Sequence, residues 1–431
     1  MSLLLRGRTL TFQRRPVDGD DRQSYTYEAD GSVLIEDGKI IANGPFDALK
    51  MAHPDVEIID HRPHLILPGF IDPHIHYPQM QVVGSYAGSL LEWLSKYTFI
   101  EEQRFADEAH AHRIADLFMN ELIRYGTTTA VAFCSVHPHS ADAFFKAAAK
   151  RNMAMVGGKV MMDREAPEAL TDTAQTSYDD TKALIERWHD KGRARYAITP
   201  RFAITSTPEQ LEAAGTLARE HTTCLIQSHL SENDGEIARV AELYPDDEDY
   251  TAVYERFGLM NERALYGHCI HLKPRERAAM AEAGAVAVSC PTSNLFLGSG
   301  LFRHKVLQED GIRIAYATDI GGGTSYSMLR TMDVGYKVAQ LHGNRMHPLQ
   351  TFFAMTLGNA QAIGMAANIG TLDAGTDADI VVLNAAAMPA SALKMERVET
   401  LEEELFLLQT LADNRMIVET YVAGVAMKSA L

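Results

Sequence analysis

Leu65 to Gln79 reads LILPGFIDPHIHYPQ. A β-branched, apolar run passes a Pro-Gly turn and ends in His74 and His76, which on a strand point to the same side because side chains alternate with a period of two. One strand can thus offer two imidazoles to one metal ion. A His-x-His this short also occurs on plain surfaces, so its meaning depends on what the rest of the chain brings to the same place.

Eight segments read as strands: 65–76, 127–136, 153–163, 196–204, 222–232, 264–271, 285–294 and 312–320. Between most of them lie amphipathic helical stretches such as EAHAHRIADLFMNELIRYG, SADAFFKAAAKRN, TPEQLEAAGTLAREH and KPRERAAMAEAG. Near-continuous apolar strands alternating with helices imply parallel strands covered on both faces, and eight of them predict an α/β protein with a (β/α)8 TIM-like barrel. A doubly wound open sheet is the alternative. Both ends of the chain read as β: SVLIEDGKIIANGP alternates around Asp37-Gly38, a hairpin signal, and GTLDAGTDADIVVLN and MIVETYVAGVAMKS repeat the texture. The expected division is a small β-sandwich domain from 1–66 plus 369–431, and a barrel over 67–368.

Polar residues fall at the C-terminal ends of the predicted strands, where barrel enzymes build their sites. Strand one ends at His74 and His76, strand five in Gln227-Ser-His229-Leu-Ser-Glu232, strand six in Gly267-His268 and strand eight in Ala317-Thr-Asp319. At one barrel mouth these supply three or four imidazoles and a carboxylate, a donor set that suits Zn²⁺ or Fe²⁺. Such an ion brings a water's pKa from 15.7 to about 7, which implies a hydrolase. Singly, His268 reads as a core histidine, Glu232 as a carboxylate at a helix start and Asp319 as a turn residue. Their shared location is what the single readings leave unexplained. Other histidines compete poorly: His110 and His112 diverge on a helix, His137 and His139 read as loop without a nearby carboxylate, and His53, His61 and His64 precede the barrel.

The composition is that of a globular protein, 46% apolar and 23% charged, with no apolar run long enough to span a bilayer. The first residues carry no secretory h-region, which predicts a cytoplasmic location. Cys134, Cys224, Cys269 and Cys290 form no C-x-x-C pair and read as small buried residues. A formal charge of −17 argues against nucleic acid as a partner. Gly321-Gly-Gly-Thr324 lacks the phosphate-loop pattern and reads as a tight turn beside a neutral ligand.

The set PGFIDPHIH, SHLSEN, GHCIHL, CPTSNLFLGSG and ATDIGGG resembles the amidohydrolase superfamily, and GTLDAGTDADIVVLN resembles its small β domain. Within it, HIHYPQ, LLEWLSKYTFIEEQRF, ITPRF, SHLSEN and TDIGGGTSYSML are similar to the branch that deaminates guanine. Pro73 departs from the Thr that relatives often carry. The resemblance implies one zinc ion per chain, or Fe²⁺, on His74, His76, His229 and Asp319. Strand four, YAITPRF, has no lysine to carry a second metal; Lys159 belongs to strand three. It further implies that guanine and water give xanthine and ammonia through zinc-bound hydroxide, in purine catabolism, by a homodimer. Glu232 would protonate N3 and serve the leaving amino group, Asp319 would accept the water proton, and His268 would orient the water. Guanine's adjacent O6 and N7 acceptors suit the fork of Arg201. Phe202, His229 and Trp93 would complete the pocket, and the Gln79 amide suits a mixed donor and acceptor edge. The alternatives are another deaminase or chlorohydrolase of the superfamily, acting on 8-oxoguanine, another aminopurine or an s-triazine, and a non-catalytic barrel scaffold. The stretches 101–105 and 244–254 are candidate closing loops.

Overall fold

The computed structural model describes residues 2–86 and 88–431. Its strands in chain order are β1 (Ser2–Phe12), β2 (Tyr25–Glu36), β3 (Lys39–Pro45), β4 (Glu57–Pro68), β5 (Phe70–His76), β6 (Thr127–Phe133), β7 (Val156–Gly158), β8 (Val160–Met161), β9 (Arg195–Pro200), β10 (Leu225–Leu230), β11 (Ala264–His268), β12 (Val286–Ser289), β13 (Arg313–Tyr316), β14 (Ile380–Leu383), β15 (Ile417–Val422) and β16 (Val425–Ala426).

From β5 to β13 every ladder is parallel, in spatial order β5-β6-β7-β9-β10-β11-β12-β13, with β8 pairing β9. The third predicted strand is thus two short pieces, β7 and β8, either side of Lys159. The eighth strand returns to the first through Asp319 N–H to His74 O at 3.0 Å and His76 N–H to Ile320 O at 2.8 Å. The barrel is closed by the residues that carry its polar side chains.

Helices between the strands bury one face each. In Glu108–Arg124 the buried positions are His110, Ala111, Ile114, Ala115, Phe118, Met119, Leu122 and Ile123, the stripe a 3.6-residue period predicts. Asp107 caps its first turn by accepting from Ala109 N–H, and Gly126, at φ +82°, takes the left-handed turn that leads into β6. The helix Pro138–Lys150 begins two residues ahead of the predicted SADAFF stretch because Pro138 fits the first helical turn. The interior is filled from all eight strand positions, by Ile71, Val131, Val156, Ala197, Leu225, Leu265, Val286 and Ala315 among others, with Ala360, Ile363 and Ile369 packed against them.

The two chain ends form one mixed seven-stranded sheet in the order β16-β15-β14-β4-β1-β2-β3. The Asp37-Gly38 turn joins β2 to β3 with both φ angles positive, +48° and +79°, as a tight hairpin of matching twist requires. Arg193, in the turn before β9, pairs with Asp377 and Asp379 ahead of β14 and so ties barrel to sheet.

Candidate active site

His74 and His76 close β5, and His229 lies on β10, so their rings converge inside the barrel mouth. His76 Nε2 is 3.2 Å from His229 Nε2 and 3.3 Å from Asp319 Oδ1, and His74 Nε2 is 3.6 Å from the same oxygen. Four ligands held about 2.0 to 2.1 Å from a tetrahedral zinc stand about 3.3 Å apart, so these spacings fit one ion. Two facing ring nitrogens need a cation or a proton between them. The buried Nε2 of His74 has no protein hydrogen-bond partner. Donor set, spacing and orphaned nitrogen agree, and the residues fit a mononuclear site.

Burial drives His74 and His229 well below the ordinary imidazole range and lowers His76, which leaves their lone pairs free. His229 Nδ1–H donates to Arg201 O at 2.6 Å, fixing the tautomer that presents Nε2. Burial opposes ionisation of Asp319, yet the His76 hydrogen bond and neighbouring imidazoles hold its carboxyl below the usual range. Asp319 sits at φ +52° and His268 at +74°, left-handed conformations rare outside glycine. Strain gathers where the side chains must be aimed.

Glu232 and His268 face the same point from the side. His268 Nε2 lies 3.3 Å from Glu232 Oε2 and 3.9 Å from Asp319 Oδ2, while Nδ1 meets Asn294 Oδ1 at 2.8 Å. Ser299 Oγ donates to Glu232 Oε1 at 2.8 Å. Burial pushes the Glu232 carboxyl up, Asp319 adds to this, and His268 and Ser299 oppose it. For His268 burial disfavours the charged ring, but Glu232 and Asp319 outweigh it and raise its pKa. The acid and the base thus face each other across the site.

A cavity above these groups is lined by His76, Gln79, Leu90, Trp93, Leu94, Arg201, Phe202, His229, Glu232, His268, Leu297, Asp319 and Gly322. Every residue expected at the substrate is among them, and the His74 ring stands 5.3 and 4.8 Å from those of His76 and His229. Backbone approach explains the glycines: a Cβ on Gly267 would stand 2.5 Å from His74 Cε1, and one on Gly321 2.5 Å from Gln79 Oε1. A Cβ on Gly322 would stand 2.5 Å from Ser293 Oγ.

Other groups were not singled out in the sequence. Asp72, fully buried, accepts from Thr318 N–H and Oγ1–H and braces the first strand against the eighth; burial pushes it up to about 7. Glu102 accepts from both Gln79 and Arg201. Asn294 and Ser299 lie in the quoted CPTSNLFLGSG, which is the signal that could have found them. The competing histidines go elsewhere: His110 is buried 3.5 Å from Glu101 while His112 is partly exposed, and His137 and His139 stack on each other. All four cysteines are buried and unpaired. Of the candidate closing loops, 101–105 is helical and continues from the segment over the cavity, whereas 244–254 supplies no lining residue.

Among known proteins, the model of the amidohydrolase family matches residues 65–427. The chain is 46% identical over 396 residues to the guanine deaminase of Escherichia coli, covering 92% of this chain and 90% of that one. A solved structure of E. coli guanine deaminase superposes with a TM-score of 0.96 at 43% identity, over 98% of this chain and 99% of that one. Guanine deaminase from C. acetobutylicum, solved with guanine bound in its active site, gives a TM-score of 0.88 at 30% identity over 99% and 100% of the two chains.

Proposed function

This chain belongs to the amidohydrolase family, and from that premise we propose that it hydrolyses guanine to xanthine and ammonia. The observation that carries this reading is that Arg201, Gln79 and Glu232 line one cavity with His76, His229 and Asp319. In this reading residues 67–368 carry the chemistry, and 1–66 with 369–431 form the supporting domain.

His74, His76, His229 and Asp319 would hold one zinc ion, or Fe²⁺, which supplies a water acidified from pKa 15.7 to about 7. Arg201 receives the base at O6 and N7, Gln79 takes the neighbouring edge, and Phe202, Trp93 and His229 bound the ring. Glu232, its carboxyl raised by burial, would deliver a proton to N3 as water adds at C2, then take up the proton of the new C2 hydroxyl and pass it to the amino group as the C2–N bond breaks and ammonia leaves, the proton held by Asp319 restoring its acid form. Asp319 accepts the proton the water gives up. His268 orients that water through Nε2, with Nδ1 fixed by Asn294. We further take the protein to act in the cytoplasm in purine catabolism, as a homodimer without nucleic-acid or membrane partners. Among the described residues no helix is long and apolar enough to cross a membrane.

The test is ammonia release by metal-replete protein from guanine, adenine, 8-oxoguanine, cytosine and a chloro-triazine in parallel. Turnover of guanine alone, abolished by chelation and by Arg201→Ala, is the expected result. Bound metal with guanine inert and another substrate turned over would leave the metal site standing and overturn the reading of Arg201 and Gln79.

A further inference from the structure

The helical segment over the cavity runs from Leu90 to Gln103 through a π turn at Leu94–Thr98. Its first turns supply Leu90, Trp93 and Leu94 to the lining. Its far end carries Glu102, 1% exposed, which does not line the cavity but touches two residues that do. Glu102 Oε1 accepts from Gln79 Nε2 at 2.9 Å and from Arg201 Nη1 at 2.9 Å, and Oε2 accepts from the same Nη1 at 2.8 Å. Phe99, from the same segment, has its ring centroid 5.6 Å from the Arg201 guanidinium carbon. Glu102 is the one ion-pair partner of Arg201 among the described residues.

The chemistry of a carboxylate then decides which way the Gln79 amide faces. Both oxygens of Glu102 accept from the Arg201 guanidinium, so the Gln79 amide turns its NH₂ to Glu102 and its Oε1 the other way. That oxygen lies where a Cβ on Gly321 would touch it, and Gly321 adjoins the cavity-lining Gly322. Arg201, with Nη1 engaged, keeps Nη2 and Nε without a hydrogen-bond partner among the described residues.

We propose that Glu102 is the positioning residue for specificity: by holding Gln79 and Arg201 together it fixes an acceptor beside a donor pair. The pocket thereby selects a purine that carries a ring N–H next to its carbonyl. This deepens, and rests on, the reading of the cavity as a guanine site. Around a 6-oxopurine the order is N7, O6, N1–H, C2, N3. Arg201 donors on N7 and O6, Gln79 Oε1 on N1–H and Glu232 on N3 follow that order without a gap. A 6-aminopurine keeps the N7 acceptor but presents a donor where Arg201 meets O6 and a bare nitrogen where Gln79 Oε1 meets N1–H, and these two mismatched polar contacts in a buried site disfavour it strongly.

The test compares Glu102→Gln with Glu102→Asp. In Glu102→Gln the new amide can donate to Gln79 Oε1, which releases the Gln79 amide to turn its NH₂ toward the substrate. In Glu102→Asp the partner is still a pure acceptor. For each protein kcat/KM is measured for loss of the 2-amino group from guanine and from 2,6-diaminopurine, with bound metal and thermal midpoint alongside. The guanine preference is expected to fall about tenfold or more in Glu102→Gln and to survive in Glu102→Asp even where absolute rates drop. A Glu102→Gln protein that keeps the unaltered preference, whatever its rate, overturns the proposal. A second measurement does not depend on that variant folding: in the unaltered protein hypoxanthine, with O6 and N1–H, should compete with guanine about tenfold or more better than adenine. Equal competition overturns the assigned pattern. An unaltered protein inert on guanine would instead defeat the parent reading, which keeps the two failures apart.

Discussion

At the scale of single residues, the site depends as much on what is missing from a side chain as on what is present. Gly267 precedes His268 and leaves room for the His74 ring; a methyl group there would sit 2.5 Å from His74 Cε1. Gly267→Ala is therefore expected to retain the fold and lose most of its bound metal, measured by metal analysis beside circular dichroism; full occupancy would show that the ring can yield. In the proposed reaction Glu232 acts through its proton. Glu232→Gln keeps shape and the Ser299 contact, so bound metal should be unchanged while turnover falls by about 10² to 10⁴. Full turnover would remove Glu232 from the chemistry. The histidine and carboxylate positions were legible because their spacing on strands is a local property. Glu102 was not, since Glu101 and Glu102 are identical neighbours in one helical stretch. Only packing separates them: Glu101 pairs with Arg104 at 2.8 Å, and Glu102 turns inward to Arg201.

At the level of elements, a short helix is pinned to β13 by a buried histidine. His304 opens the helix His304–Glu309, 7% exposed, with Nδ1 2.6 Å from Tyr316 Oη and Nε2 3.4 Å from Arg15 Nη2. Burial first, and Arg15 second, lower its pKa from 6.5 to about 4. Between those values the unfolded chain binds a proton that the folded protein does not. Stability is therefore full above pH 6.5 and is lost as pH falls toward 4, by up to about 3 kcal/mol. His304→Gln should flatten this acid limb, read as a smaller difference between urea midpoints at pH 5 and pH 7.5. An unchanged difference would mean the ring charges in place. At this scale the sequence was informative in type and loose in boundary. The strand expected over 153–163 is broken at Lys159, whose Nζ lies 2.5 Å from Asp172 Oδ2, a contact set by folding rather than by local propensity.

At the level of the whole chain, a partly buried charge cluster joins barrel and sheet. Arg193 pairs with Asp377 at 3.0 Å and with the deeply buried Asp379, which also accepts from Ala423 N–H at 2.9 Å. Arg193→Ala would strand that carboxylate, and a loss of about 3 to 5 kcal/mol is expected in chemical denaturation, with guanine turnover of the folded protein unchanged. A loss confined to activity would contradict the assignment of Arg193 to the joint. The eight alternating strands, the β character of both ends and the His and Asp residues at strand ends could all be read from the sequence. Each of these follows from periodicity and short spacing, which a chain carries wherever it folds. The tertiary structure alone decided the closure of the first strand on the eighth, the aim of Asp319 and His268 at positive φ, and the clamp of Glu102 on Arg201 and Gln79. Those bring together residues 99 and 246 positions apart, as Glu102 with Arg201 and Asp72 with Thr318 do. No local pattern encodes which distant partner a buried carboxylate will meet.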